Sequence, residues 1–150
     1  MIRKAEIDDS AIIAEFNSQM ALETEGLQLD GDTVLAGVKQ AIDENKATYY
    51  LYEKKGKIVG QAMITREWSD WRNGYFWWLQ SVYVHENYRR QGIFRSLYQH
   101  IKQLTEKNED ICGLRLYVDV NNKRAQSTYQ MMGMKETDYK LYEWEKNSFA

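Results

Sequence analysis

The chain has 150 residues, 43% of them apolar and 28% charged, with a formal net charge of −2, no proline and one cysteine. That is the size of one domain, and it can bury ~68–70% of its unfolded surface without disulfides or a structural metal. An aromatic share of 13% excludes a disordered chain, no run nears the ~18 apolar residues of a membrane span, and the near-neutral charge gives nucleic acid no basic footprint.

Ile2-Arg3-Lys4 predicts a short first strand. The stretch 1–6 mixes charges and lacks the apolar centre of a secretory leader, so a cytoplasmic protein is expected. Asp8, Asp9 and Ser10 are cap-forming residues, and Ile12, Ile13, Phe16 and Met20 follow at helical spacing. After a loop over 26–31, Asp32 is placed to cap a second helix with the stripe Val34, Leu35, Val38, Ala41 and Ile42. Residues 48–53 and 58–65 predict a hairpin turning at Gly56. Residues 68–74 read as a loop and 75–84 as a long aromatic strand. A helix over about 92–107 carries Ile93, Leu97, Ile101 and Leu104 on one face. Cys112, between apolar neighbours, is expected to be a buried reduced thiol. A strand over 114–118, a short helix over 123–132 ending at Gly133 and a last strand over 135–145 complete the chain. The pattern predicts one α/β domain spanning 1–150: a single mixed sheet of about six strands with about four helices on its faces.

Charge is least evenly spread at Tyr88-Arg89-Arg90-Gln91-Gly92-Ile93-Phe94-Arg95. A helix start carries about half a positive charge, and its first four amides lack intrahelical partners. Three arginines there are unfavourable unless an anion joins them, and Gly92 lets a ligand approach the backbone closely. Either the segment cradles a phosphate or it is a solvated basic turn. It is neither a nucleoside-triphosphate loop nor a dinucleotide fingerprint, because it has one glycine and no Gly-Lys-Ser/Thr. Further on, Asn122 is placed to cap the helix that aligns Ala125, Tyr129 and Met132 on one face.

Together the two segments resemble the GNAT superfamily of acetyl-CoA-dependent N-acetyltransferases. The family's pyrophosphate loop, Arg/Gln-x-x-Gly-x-Gly/Ala, is matched at Arg89 and Gly92 and departs at Phe94. Its later helix, Asn-x-x-Ala-x-x-x-Tyr-x-x-x-Gly-Phe, is matched at Asn122, Ala125, Tyr129 and Gly133, with Met134 replacing the last aromatic. The element order extends the likeness over nearly the whole chain. Phe94 puts a large ring where a small residue is usual, so it either turns into the core or narrows the cofactor groove.

The resemblance implies acetyl-CoA as cosubstrate and no metal. Its pyrophosphate would rest on Arg89, Arg90, Gln91, Gly92, Ile93, Phe94 and Arg95, with Val82, Val84 and Asn122 also at the cofactor. A backbone amide near Val82 would stabilise the tetrahedral oxyanion, and Tyr129 would protonate the leaving thiolate. An amine acceptor also needs a base, for which Glu67 comes first and Asp70 second; the alternative for both is a solvated strand-end or loop charge. Glu23, Glu25, Trp68 and Trp71 would suit a cationic, partly apolar amine through ion pairing and cation–π contact. Trp77 and Trp78, adjacent on a strand, face opposite sides of the sheet, one toward the core and one toward the groove. The expected activity is acetylation of a small cationic amine. A protein N-terminus or lysine as acceptor and a non-catalytic acyl-CoA sensor are the alternatives. No nucleic-acid or membrane partner is expected, and the aromatic residues are equally compatible with a homodimer contact.

Overall fold

β-Branched and aromatic residues concentrate in five stretches, and in the computed structural model, which describes residues 1–147, each is a strand. They are β1 (Ile2–Lys4), β2 (Thr48–Lys54), β3 (Lys57–Ser69), β4 (Gly74–Val84) and β5 (Ile111–Leu116). Their order in the sheet is that of the sequence, antiparallel throughout except for the parallel pair β4–β5. Only that parallel pair needs a crossover connection, and it contains α3 (Ile93–Lys107). The remaining helices are α1 (Ser10–Glu25), α2 (Gly31–Asp43) and α4 (Lys123–Met131). The fold is thus α/β with a mixed sheet of five strands and four helices. By packing, the chain divides into two units, Met1–Leu116 and Tyr117–Ala150.

In the first unit, α1 and α2 bury Ile13, Ala14 and Val38 against Tyr49 and Leu51 of β2. The opposite face receives α3, whose Ile93, Leu97 and Ile101 recur every fourth residue and are at most 3% exposed. Gly60 of β3 permits that approach, because a Cβ there would lie 2.8 Å from Ile93 Cγ2. α3 thereby lies close to the sheet, and a short loop from the end of β4 at Val84 leads to its N-terminus at Ile93.

Several local expectations change. Asp30, not Asp32, caps α2, its carboxylate accepting from the Thr33 amide at 3.0 Å. Asp9 precedes α1 without capping it, because its oxygens are occupied by both terminal nitrogens of Arg3 at 2.9 Å and by the Glu6 amide at 2.7 Å. The loop expected over 68–74 is shorter, since β3 runs on to Ser69 and β4 begins at Gly74. The strand expected over 114–118 is displaced toward the N-terminus as β5. Cys112 is exposed, not buried, on this edge strand, its Sγ 3.3 Å from the Tyr75 carbonyl.

In the second unit, α4 is capped as expected by Asn122, whose Oδ1 accepts from the Ala125 amide at 3.1 Å, and Gly133 beyond its end has φ 95°. The strand expected over 135–145 is absent: these residues take no strand conformation, and Tyr139, Leu141, Tyr142 and Trp144 are 68–90% exposed. Their spacing explains it. Tyr139 and Leu141 would share one face of a strand and Tyr142 and Trp144 the other, so neither side is consistently apolar.

Candidate active site

The β3–β4 ladder is interrupted. Gln61 pairs with Tyr83 but Met63 pairs with Gln80, so Ser81 and Val82 stand opposite Ala62 alone. Such a β-bulge leaves a residue outside the ladder and bends its strand. Ser81 adopts φ 49°, a left-handed conformation costing a non-glycine residue ~1–2 kcal/mol. Its carbonyl is held by Gln61, whose Nε2 donates to it at 3.0 Å and to Asn17 Oδ1 of α1 at 2.8 Å. Gln61 is 0% exposed, and its Oε1 is buried with no hydrogen-bond partner among the described residues.

β4 ends at Val84, and the loop to α3 turns through left-handed Arg90 (φ 63°) and Gly92 (φ 79°). Gly92 is the N-cap of α3, and nothing lies within 4 Å of where its Cβ would be. The first-turn amides of Ile93, Phe94 and Arg95 have no acceptor within their own helix, and the helix dipole makes this end positive. Arg90 and Arg95 are exposed at this end. Phe94 is half-buried, its ring 6.3 Å from that of Tyr98 one turn on.

Arg89 differs from its neighbours. Its Nε donates to the Val84 carbonyl at 2.9 Å, and its Nη2 donates to both carboxylate oxygens of Glu23 at 3.0 Å. The guanidinium also lies 5.4 Å from the centre of the Tyr83 ring. Burial, followed by the Glu23 carboxylate, pushes the Tyr83 phenol above its ordinary range. Gln91 instead accepts from Lys54 Nζ at 2.8 Å, so the β2–β3 turn brings a lysine beside the loop. Nothing in the local sequence around Lys54 signals that proximity.

Farther along the hairpin, Glu67 accepts from Trp78 Nε1 at 2.8 Å and from Arg115 at 3.1 Å. Arg115 lies 3.6 Å from the centre of the Phe76 ring. Gln80 donates to Thr65 Oγ1 at 2.7 Å, which continues the polar side chains between Glu67 and the bulge. Trp77 lines a cleft of about 690 Å³ on the sheet's other face with Tyr50, Ile64 and Leu104, so the two tryptophans do divide between faces. Trp68 packs edge-on against Tyr75 at 4.9 Å, Trp71 is 87% exposed and Asp70 occupies the exposed turn beside it.

Glu23, Glu25, Trp68 and Trp71 therefore do not line one wall. Glu23 joins the Val84 end of β4 through Arg89, Glu25 is exposed at the end of α1, and Trp68 pairs with Tyr75 near the strand's other end. Tyr83 lies eight positions after Tyr75, roughly 25 Å of strand. Asn17, Thr65, Gln61 and Gln80 escaped the sequence reading because their importance comes from the bulge, which no local pattern announced.

In the second unit, Tyr129 stands on α4, two turns after Asn122. Burial pushes its phenol above the ordinary tyrosine range, which keeps it protonated at neutral pH. The Asn122 carbonyl oxygen is engaged by its own helix, leaving the amide nitrogen as its end available for donation.

The profile of the acetyltransferase (GNAT) family matches residues 13–134. The chain belongs to the GNAT family. It is an enzyme of that family's activity, acetyl transfer dependent on acetyl-CoA. It is similar, at 49% identity and TM-score 0.93, to the crystal structure of a possible acetyltransferase from Clostridium difficile 630, over 99% of this chain and 98% of that one. At 17% identity, with TM-score 0.78 and coverage of 95% and 94%, the fold recurs in a predicted acetyltransferase with acetyl-CoA from Clostridium acetobutylicum. It recurs again in a ribosomal-protein-alanine N-acetyltransferase from Brucella melitensis biovar Abortus 2308, at 15% identity, TM-score 0.78 and coverage of 98% and 99%. No curated protein matches the sequence. Among the described residues no helix is long and apolar enough to cross a membrane.

Proposed function

We propose that this GNAT enzyme acetylates the primary amine of a small cationic molecule by direct attack on acetyl-CoA. The observation that carries this reading is the interrupted ladder at Ser81 and Val82, followed without another strand by the glycine-capped start of α3. An interrupted strand exposes amides, and a helix start attracts anions. The Val82 amide is assigned to the thioester oxygen. The amides from Gly92 to Arg95, with Arg90 and Arg95, are assigned to the pyrophosphate.

In the reaction the amine nitrogen attacks the thioester carbonyl, forming a C–N bond and an oxyanion that accepts from the Val82 amide. Collapse of this intermediate breaks the C–S bond, and the thiolate takes its proton from Tyr129. The amine's proton leaves to Glu67 through water, and solvent reprotonates Tyr129. Preference for a cation rests on the Glu67 carboxylate beside the Trp78 indole, an acidic and aromatic pair suited to an ammonium group.

The test combines binding with turnover. A ligand bound only by the folded state at 100 times its Kd stabilises by about 2.7 kcal/mol, roughly 5–10 °C for this size. Acetyl-CoA should give such a shift, and free CoA should appear with polyamines or amino-acid amides in an acceptor panel. Absence of a shift at millimolar acetyl-CoA overturns the cofactor assignment. Turnover with peptides alone moves the acceptor to a protein, and tight binding without turnover points to a sensor.

A further inference from the structure

Gln61 is an expensive choice for the middle of a sheet. It sits in the central strand with no exposure, among Leu51, Val59 and Ala62, which are equally buried. A leucine or methionine would fill this volume without a polar atom to satisfy. Instead the amide leaves Oε1 without a hydrogen-bond partner among the described residues, a penalty a purely space-filling residue would avoid. Both hydrogens of Nε2 are used, one on Asn17 Oδ1 and one on the Ser81 carbonyl. That carbonyl can only accept, so the nitrogen end of the side chain must face it.

These two bonds tie three elements at one point: α1 through Asn17, β3 through Gln61, and the bulge of β4 through Ser81. Ser81 is in a left-handed conformation and lies outside the regular ladder. A strained residue without ladder support keeps one conformation only when its surroundings over-determine it. The peptide bond that begins at the Ser81 carbonyl ends at the Val82 nitrogen and is planar. Fixing that carbonyl's direction fixes the direction of the Val82 N–H, which points the opposite way.

We propose that Gln61, braced by Asn17, is a positioning residue for acetyl transfer: by holding the Ser81 carbonyl it aims the Val82 amide at the developing oxyanion. This rests on the oxyanion role assigned to Val82 above. Gln61 itself touches no reacting atom. Its contribution is to the transition state, where oxyanion geometry matters, and not to the binding of the cofactor.

The test uses Gln61→Leu, with Gln61→Met as a second apolar replacement should the first fail to fold. Each removes the donors to the Ser81 carbonyl and to Asn17 Oδ1 together with the orphaned acceptor, so the melting temperature should fall only modestly. Misplacement of about 1 Å can cost up to 10²-fold in rate, and kcat should fall by roughly 10- to 100-fold with KM for acetyl-CoA little changed. Amide exchange over residues 81–83 should accelerate by roughly tenfold while β2 keeps its protection. A lower melting temperature with unchanged kcat would mean a merely structural role and overturn the proposal. Unchanged exchange at the bulge would overturn it as well. Wild-type protein that does not acetylate any amine would refute the proposed function instead, and the exchange measurement would still decide whether Gln61 holds the bulge.

Discussion

The phenol of Tyr129 is held above its ordinary range by burial, so at neutral pH it keeps its proton and very little of it is ionised. Replacement by phenylalanine retains the ring and deletes the proton. Tyr129→Phe should therefore lower kcat by roughly 10²-fold, the scale of a lost general acid, while leaving the acetyl-CoA thermal shift intact; steady-state kinetics beside a melting curve separates the two effects. Undiminished kcat would return Tyr129 to a packing role. At this scale the sequence was legible where a residue acts with its own neighbours. Asn122 capping α4 and Gly133 beyond its end follow from spacing alone. It was illegible where a side chain meets a distant one: Glu23 on Arg89 and Gln61 on Asn17 are 66 and 44 residues apart. Glu23, grouped by composition with a substrate wall, is in fact bound to the same arginine that the motif assigns to the cofactor.

α3 owes its place to what β3 omits. Gly60 leaves room for Ile93, and an added Cβ would sit 2.8 Å from Ile93 Cγ2, 3.5 Å from the Tyr83 carbonyl and 3.7 Å from Leu97 Cδ1. Because Ile93 opens the helix, pushing it away also shifts the first-turn amides assigned to the pyrophosphate. Gly60→Ala should destabilise by about 1–3 kcal/mol, the usual range for an overfilled core, and weaken acetyl-CoA binding at the same time. Denaturant unfolding and a titration with acetyl-CoA would check the two consequences, and an unaltered affinity would uncouple α3's seat from the cofactor loop. Elements whose pattern is carried by their own residues, such as α3 and the β2–β3 hairpin, were predictable. The strand expected over 135–145 was not, because being a strand depends on a partner edge as well as on β-forming residues.

For the whole molecule, a net charge of −2 averages over local concentrations of opposite sign, and acid stability depends on particular pairs. Asp9 receives both terminal nitrogens of Arg3 and the Glu6 amide, joining β1 to the turn that leads into α1. The Arg3 hydrogen bond chiefly, opposed by burial and aided by the Glu6 amide, holds the Asp9 carboxyl below its ordinary range. A carboxylate depressed in the folded state stabilises fully above its unfolded pKa, about 3.9, and loses that contribution as pH falls through the folded value. Asp9→Asn should thus melt lower than wild type at pH 7, with the difference between the two shrinking as pH falls below the ordinary aspartate range. A difference that persisted undiminished in acid would assign the effect to packing instead of charge.

The extra residue in β4 limits how the strand can change over time. Strict alternation would place Tyr83 on the same side as Leu79 and Trp77. Two residues facing one at Ala62 reverse the parity, so Tyr83 meets Phe16 of α1 while Trp77 looks toward Leu104 of α3. The segment behaves like a reading frame. Exchanging Ser81 or Val82 for another residue alters one position, but deleting either would turn every side chain on one flank of the gap through to the opposite face. Length at 81–82 is thereby under a tighter constraint than identity.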